Sequence, residues 1–93
     1  MNISVAEKRR ETRRPASGIV HVKINTPRPF EIIGRLLDVS DSGFRMTHTY
    51  TPLTSGQVVE FRHHEKAGQA RAVWNRITGE SVETGFLIVA GRS

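Results

Sequence analysis

Between residues 19 and 90 apolar and polar side chains alternate in short runs, with turn formers between the runs. In Ile19-Val20-His21-Val22-Lys23-Ile24-Asn25 the residues Val20, Val22 and Ile24 share one face, the period of two that marks a half-buried strand. Thr26-Pro27-Arg28-Pro29 breaks it. A second strand is expected over Phe30–Val39, and its lone Gly34 predicts a bulge or a close backbone approach. Ser40 to Gly43 turn the chain into a third, Phe44–His48. Beyond a loop from Tyr50 to Gly56 the pattern gives a fourth strand over Gln57–His64 and a hairpin turn at Glu65-Lys66-Ala67-Gly68. A fifth follows over Gln69–Ile77, where Trp74 shares a face with Ala70 and Ala72 and is expected in the core or at a barrel end in preference to stacking on a base. Gly79 punctuates a further loop, and a sixth strand runs from Val82 or Glu83 through Ala90. Six short strands without a helical period predict an all-β domain. Closure into an antiparallel barrel would remove the edges that an open sheet leaves exposed.

Residues 1–16 lack this alternation and end their charge run just before Pro15 and Ala16. They read as a flexible, basic arm, with 17–93 forming the barrel domain. Proline disfavours the helical conformation in Arg14 before it, so the arm should enter the barrel extended. Of the net charge of +5, residues 1–14 carry +3 through Lys8, Arg9, Arg10, Arg13 and Arg14 against Glu7 and Glu11. A local basic cluster points to an anionic partner. Arginine outnumbers lysine 11 to 3, and its planar fork grips a phosphate or a guanine edge through two hydrogen bonds where lysine offers a point charge.

Length and composition then narrow the function. A 93-residue chain is one domain with a thin core, so a ligand belongs on its outside rather than in a deep cleft. The absence of cysteine removes disulfides, thiolate metal sites and cysteine nucleophiles. The start carries no apolar leader, and the longest apolar run, Phe86 to Ala90, is far below the ~20 residues of a membrane helix. A cytoplasmic protein without a membrane span is expected. His63 and His64 are adjacent and point to opposite faces of a strand, which argues against a shared metal ion. No Ser-His-Asp order, phosphate-binding glycine loop or paired carboxylates in a pocket can be found, so no enzyme is expected.

Two motifs remain, and they carry a resemblance. Arg9-Arg10-Glu11-Thr12-Arg13 is an Arg-x-x-x-Arg pair, and Asp38-Val39-Ser40-Asp41-Ser42-Gly43 is an Asp-x-Ser-x-x-Gly turn. Their order, the 25 residues from Arg13 to Asp38 and the two strands between them resemble the PilZ domain family of bacterial cyclic di-GMP receptors. Pro15 after the second arginine fits, as do Ala70-Arg71-Ala72-Val73-Trp74-Asn75-Arg76 and Gly85-Phe86. The chain departs from the family in stopping soon after its last strand, without the helix that commonly packs on the barrel. Arg10 and Arg14 also form a second Arg-x-x-x-Arg; aligning Pro15 favours Arg9 and Arg13.

The resemblance implies a six-stranded barrel that binds cyclic di-GMP, needs no cofactor or metal and acts on a downstream protein. It implies ligand-binding roles for Arg9, Arg10, Arg13, Asp38, Ser40 and Gly43. The arginines suit the phosphates and the O6 and N7 edge of guanine, while Asp38 could accept from the opposite edge. Ser40 could donate or accept, and Gly43 would admit close backbone approach. Two other readings stand beside this one. A protein-interaction adaptor of the same fold could work without nucleotide. A barrel binding nucleic acid through the basic arm is weaker, because one tryptophan, one tyrosine and four phenylalanines are a thin supply for base stacking.

Overall fold

A computed structural model of the chain describes residues 12–25, 28–64 and 66–92. Among them there are seven strands and no helix: β1 (Arg14–Pro15), β2 (Ile19–Ile24), β3 (Phe30–Val39), β4 (Gly43–His48), β5 (Val58–His63), β6 (Lys66–Thr78) and β7 (Ser81–Arg92). The hydrogen-bonded order β3-β2-β5-β6-β7-β4 closes on itself because β4 also pairs with β3. The result is the expected six-stranded antiparallel barrel, with β1 as an extra strand on β3. The last residues of the basic arm thus lie along the barrel wall: Arg14 faces Val39, Pro15 faces Asp38, and the Ala16 N–H donates to the Leu37 carbonyl at 3.1 Å.

The alternation read from the sequence fills the interior. Val20, Val22 and Ile24 point inward with Ile32, Leu36, Phe44, Met46, Val59, Phe61, Ala70, Ala72 and Phe86, and Leu53 from the loop before β5 joins them. Phe44 is fully buried at the centre, its ring 4.8 Å from both Phe61 and Phe86. Gly34 is a close approach rather than a bulge, since a Cβ there would overlap the Thr47 carbonyl oxygen and the Met46 methyl group.

Three expectations need correction. The β5–β6 turn is shorter than a Glu65–Gly68 loop, because His63 pairs directly with Lys66 and β6 begins there. Gly68 is a strand residue where an added Cβ would meet the Ala90 carbonyl oxygen, so its glycine marks close packing and not a turn. The link after β6 is equally tight: Thr78 pairs with Ser81, and Gly79 takes the left-handed φ of 62° that such a two-residue connection needs. Finally, Trp74 leaves the face it was expected to share with Ala70 and Ala72, and is 40% exposed.

Candidate functional site

Two β-bulges on opposite sides of one groove aim its principal side chains. On β3 strict alternation would turn Asp38 inward after Ile32, Gly34 and Leu36. The pairing slips between Leu36, which faces Met46, and Asp38, which faces Arg45, so Leu37 is an extra residue. Asp38 therefore joins Arg45 on the outer wall, while Val39 turns into the core. On β6 the pairing slips again between Ala72, opposite Phe86, and Trp74, opposite Gly85. Val73 is the extra residue there, and Trp74 turns outward. Bulges of this kind re-aim side chains and recur beside functional sites.

The registers then line up Pro15, Asp38, Arg45, Gly85 and Trp74 as one row across five strands. Around that row lies a groove of about 440 Å³ on the outside of the barrel. One wall consists of Arg13, Asp38, Ser42, Gly43 and Arg45, and the other of Val73, Trp74, Gly85, Phe86 and Leu87.

The first wall is held by charge. Arg13 Nε and Nη2 donate to Asp38 Oδ1 at 3.1 and 2.8 Å. Arg45 Nε and Nη2 donate to Oδ2 at 3.0 and 2.7 Å. A carboxylate has about four lone-pair sites, and these four donors occupy them. Asp38 is nearly buried while the two guanidiniums stay partly exposed. A wider ladder continues from Arg45 to Glu83 at 3.7 Å and from Glu83 to Arg76 at 3.0 Å.

The second wall is apolar. The indole of Trp74 lies over Gly85, where a Cβ would run into the ring, and Val73 and Leu87 flank it with exposed side chains. The groove therefore sets two partly exposed guanidiniums against an aromatic plane. That combination can bind an anion and a flat heterocycle together.

The sequence-predicted residues divide as follows. Arg13 and Asp38 meet directly. Gly43 lines the groove at a close approach: a Cβ there would overlap the Phe86 carbonyl oxygen. Ser40 is buried, its N–H and hydroxyl both directed at the Gly43 carbonyl at 2.9 and 3.5 Å, so it shapes the turn and does not line the groove. Arg9 and Arg10 lie outside the described residues. Sequence reasoning missed Arg45, Trp74 and Gly85. The alternation Phe44-Arg45-Met46 does place Arg45 outward beside the Asp-x-Ser-x-x-Gly turn, a signal that was present. For Trp74 the pattern favours a core or barrel-end place over stacking, because the bulge beneath it leaves no trace there.

Comparison with models of known protein families finds no match, and a search of curated proteins finds none either.

Proposed function

We propose that the chain is a cyclic di-GMP receptor of the PilZ type, acting in the bacterial cytoplasm without chemistry on its ligand and passing the signal to a downstream protein. The observation that carries this reading is the convergence of Arg13 and Arg45 on Asp38, directly across Gly85 from the Trp74 ring. Cyclic di-GMP offers phosphates and the O6 and N7 edges of guanine to arginine forks, and a purine plane to an indole. In this reading Asp38 orients the two arginines, Gly43 admits the ligand close to backbone, and Ser40 holds the corner. Arg9 and Arg10 would add charge from the arm.

Calorimetric titration with cyclic di-GMP, against GTP and GMP as controls, tests the proposal. Saturable binding of the cyclic dinucleotide alone is expected, with quenching of Trp74 emission. Loss of the charge-assisted bonds in Arg13→Ala should weaken affinity about tenfold to a hundredfold. Unchanged affinity in that variant rejects the assignment.

One observation favours a second reading. The four acceptor positions of Asp38 are already filled within the protein, so the site is satisfied without nucleotide, as a nucleotide-independent adaptor would require. Thermal unfolding separates the two. A ligand at 100 times its dissociation constant adds about 2.7 kcal/mol, and an adaptor that ignores nucleotide shows no shift.

A further inference from the structure

The loop from residue 49 to 57 is fastened to the barrel by bonds between Ser55, Gly56 and Gln57 and the β6 backbone, and at its Tyr50 end by a chain of hydrogen bonds that runs in one direction. The Tyr50 N–H donates to His48 Nδ1 at 3.0 Å. His48 Nε2 lies 2.7 Å from Thr84 Oγ1, that hydroxyl donates to Asn75 Oδ1 at 2.6 Å, and Asn75 Nδ2 donates to the Leu53 carbonyl at 3.0 Å. A backbone N–H can only donate, so Nδ1 must be the acceptor and the ring must be neutral with its proton on Nε2. Thr84 spends its own proton on Asn75 and therefore accepts from Nε2. Every group has one role, and none can reverse it.

The chain ends where the groove begins. Asn75 and Thr84 are cross-strand partners, and the next pair along β6 and β7 is Trp74 with Gly85. His48 therefore joins the loop to the apolar wall of the groove. It is almost fully buried, and desolvation pushes its pKa below the ordinary 6.5. Among the described residues its surroundings are neutral: Val82 and Thr84 on β7, Asn75 on β6, Gly34 on β3, and Tyr50 and Leu53 from the loop. Among the described residues, the titratable side chains nearest to it along these elements face elsewhere. Arg35 and Arg76 are exposed, Glu83 pairs with Arg76 and Arg45 on the outer wall, and the Tyr50 ring lies against Phe30.

We propose that His48 is a proton-operated latch between the 49–57 loop and the Trp74 wall. A proton on Nδ1 sets a donor against the Tyr50 donor, and the resulting cation has no carboxylate beside it among the described residues. The ring leaves for water, the loop loses its tether at Tyr50 while Ser55, Gly56 and Gln57 stay bonded to β6, and Thr84 loses the partner that steadies the Asn75 pair next to Trp74. The direction of the pH effect follows from linkage. The folded state keeps the ring neutral and the unfolded chain takes up the proton more readily. The stability that His48 contributes is therefore complete above pH 6.5 and is lost as pH falls below it.

Trp74 is the one tryptophan of the chain, so its emission reads the groove wall without any nucleotide, and the outcome is independent of ligand identity. Ligand-free protein titrated from about pH 8 to about pH 5, the range in which histidine charges, should show an emission change with its inflection below 6.5. The inflection should disappear in His48→Gln and survive in His21→Gln. No inflection, or one that persists in His48→Gln, overturns the proposal. Imidazole 15N spectra of the wild-type protein give a second measurement that needs no variant to fold. The proposal requires the Nε2–H form near neutrality and a joint titration of the His48 ring with the Trp74 indole N–H. An Nδ1–H form, or a His48 titration that leaves the indole unmoved, overturns it equally.

Discussion

At Leu37 an extra residue turns a carboxylate outward and two guanidiniums hold it there; at Val73 an extra residue turns an indole outward and it rests on a glycine. The two walls of the groove are thus made by the same device and secured by different forces. On the Asp38 side the position is fixed by directional, charge-assisted hydrogen bonds and by backbone against backbone, Gly43 lying on the Phe86 carbonyl. On the Trp74 side the contact is a side chain lying on the Gly85 backbone. The first wall resists deformation and the second can adjust. Under the proposed function, this division would keep the anion contacts in register while the ring adapts to the planar group against it.

Glycine substitution separates the walls most sharply. In Gly43→Ala the new methyl group meets the Phe86 carbonyl oxygen, which cannot move without displacing β7. Overpacking of this kind costs up to about 3 kcal/mol, and thermal unfolding should drop by roughly 15 °C for a domain of this size. Asp38→Ala comes next. It leaves two guanidiniums facing one another without their shared acceptor, and an expected loss of about 2 kcal/mol in urea unfolding reflects breakage of a largely buried charge cluster, discounted for the exposure of the arginines. A cost below about 0.5 kcal/mol would mean that the ion pairs do not secure this wall.

The contrast between the walls also explains what the sequence could reveal. Strands β2 to β5, four of the six that close the barrel, follow from alternation, because burial on one face imposes a period of two and Val20, Val22, Ile24, Phe44 and Met46 keep it. Arg13 and Asp38 could be found because their motifs are local strings. The facing wall is a product of pairing between distant strands. Trp74 lies over Gly85 only because β6 gains a residue against β7, and Val73 looks like any other strand residue. The same reasoning accounts for Gly68, where the need for glycine comes from β7 and not from a turn in its own segment. Ser40 shows the reverse case: its motif marks a real corner, yet its hydroxyl is turned back on the Gly43 carbonyl.

On the adjustable wall, Gly85→Ala should cost less than the change at Gly43, about 1 kcal/mol, because the indole can swing aside at the expense of its own packing. The emission of Trp74 should shift with that movement even where stability barely changes. Equal losses in Gly43→Ala and Gly85→Ala would remove the distinction between the two walls.

The smallest effect tests whether the walls are coupled at all. The ladder Arg13–Asp38–Arg45–Glu83–Arg76 runs from the charged wall to β6, but its far links are long or exposed: Arg45 to Glu83 spans 3.7 Å, and Arg76 is 64% exposed. Exposed pairs of this kind contribute about 0.2–1 kcal/mol, so Arg76→Ala should lie at the low end of that range. Independent walls require that its effect add to that of Arg13→Ala within about 0.3–0.5 kcal/mol, as for residues without shared partners. A double-mutant cycle read by urea unfolding measures this directly. A larger coupling would mean that charge on the Asp38 side is felt through Glu83 at the strand that carries Trp74, and the adjustable wall would then answer to whatever binds the rigid one.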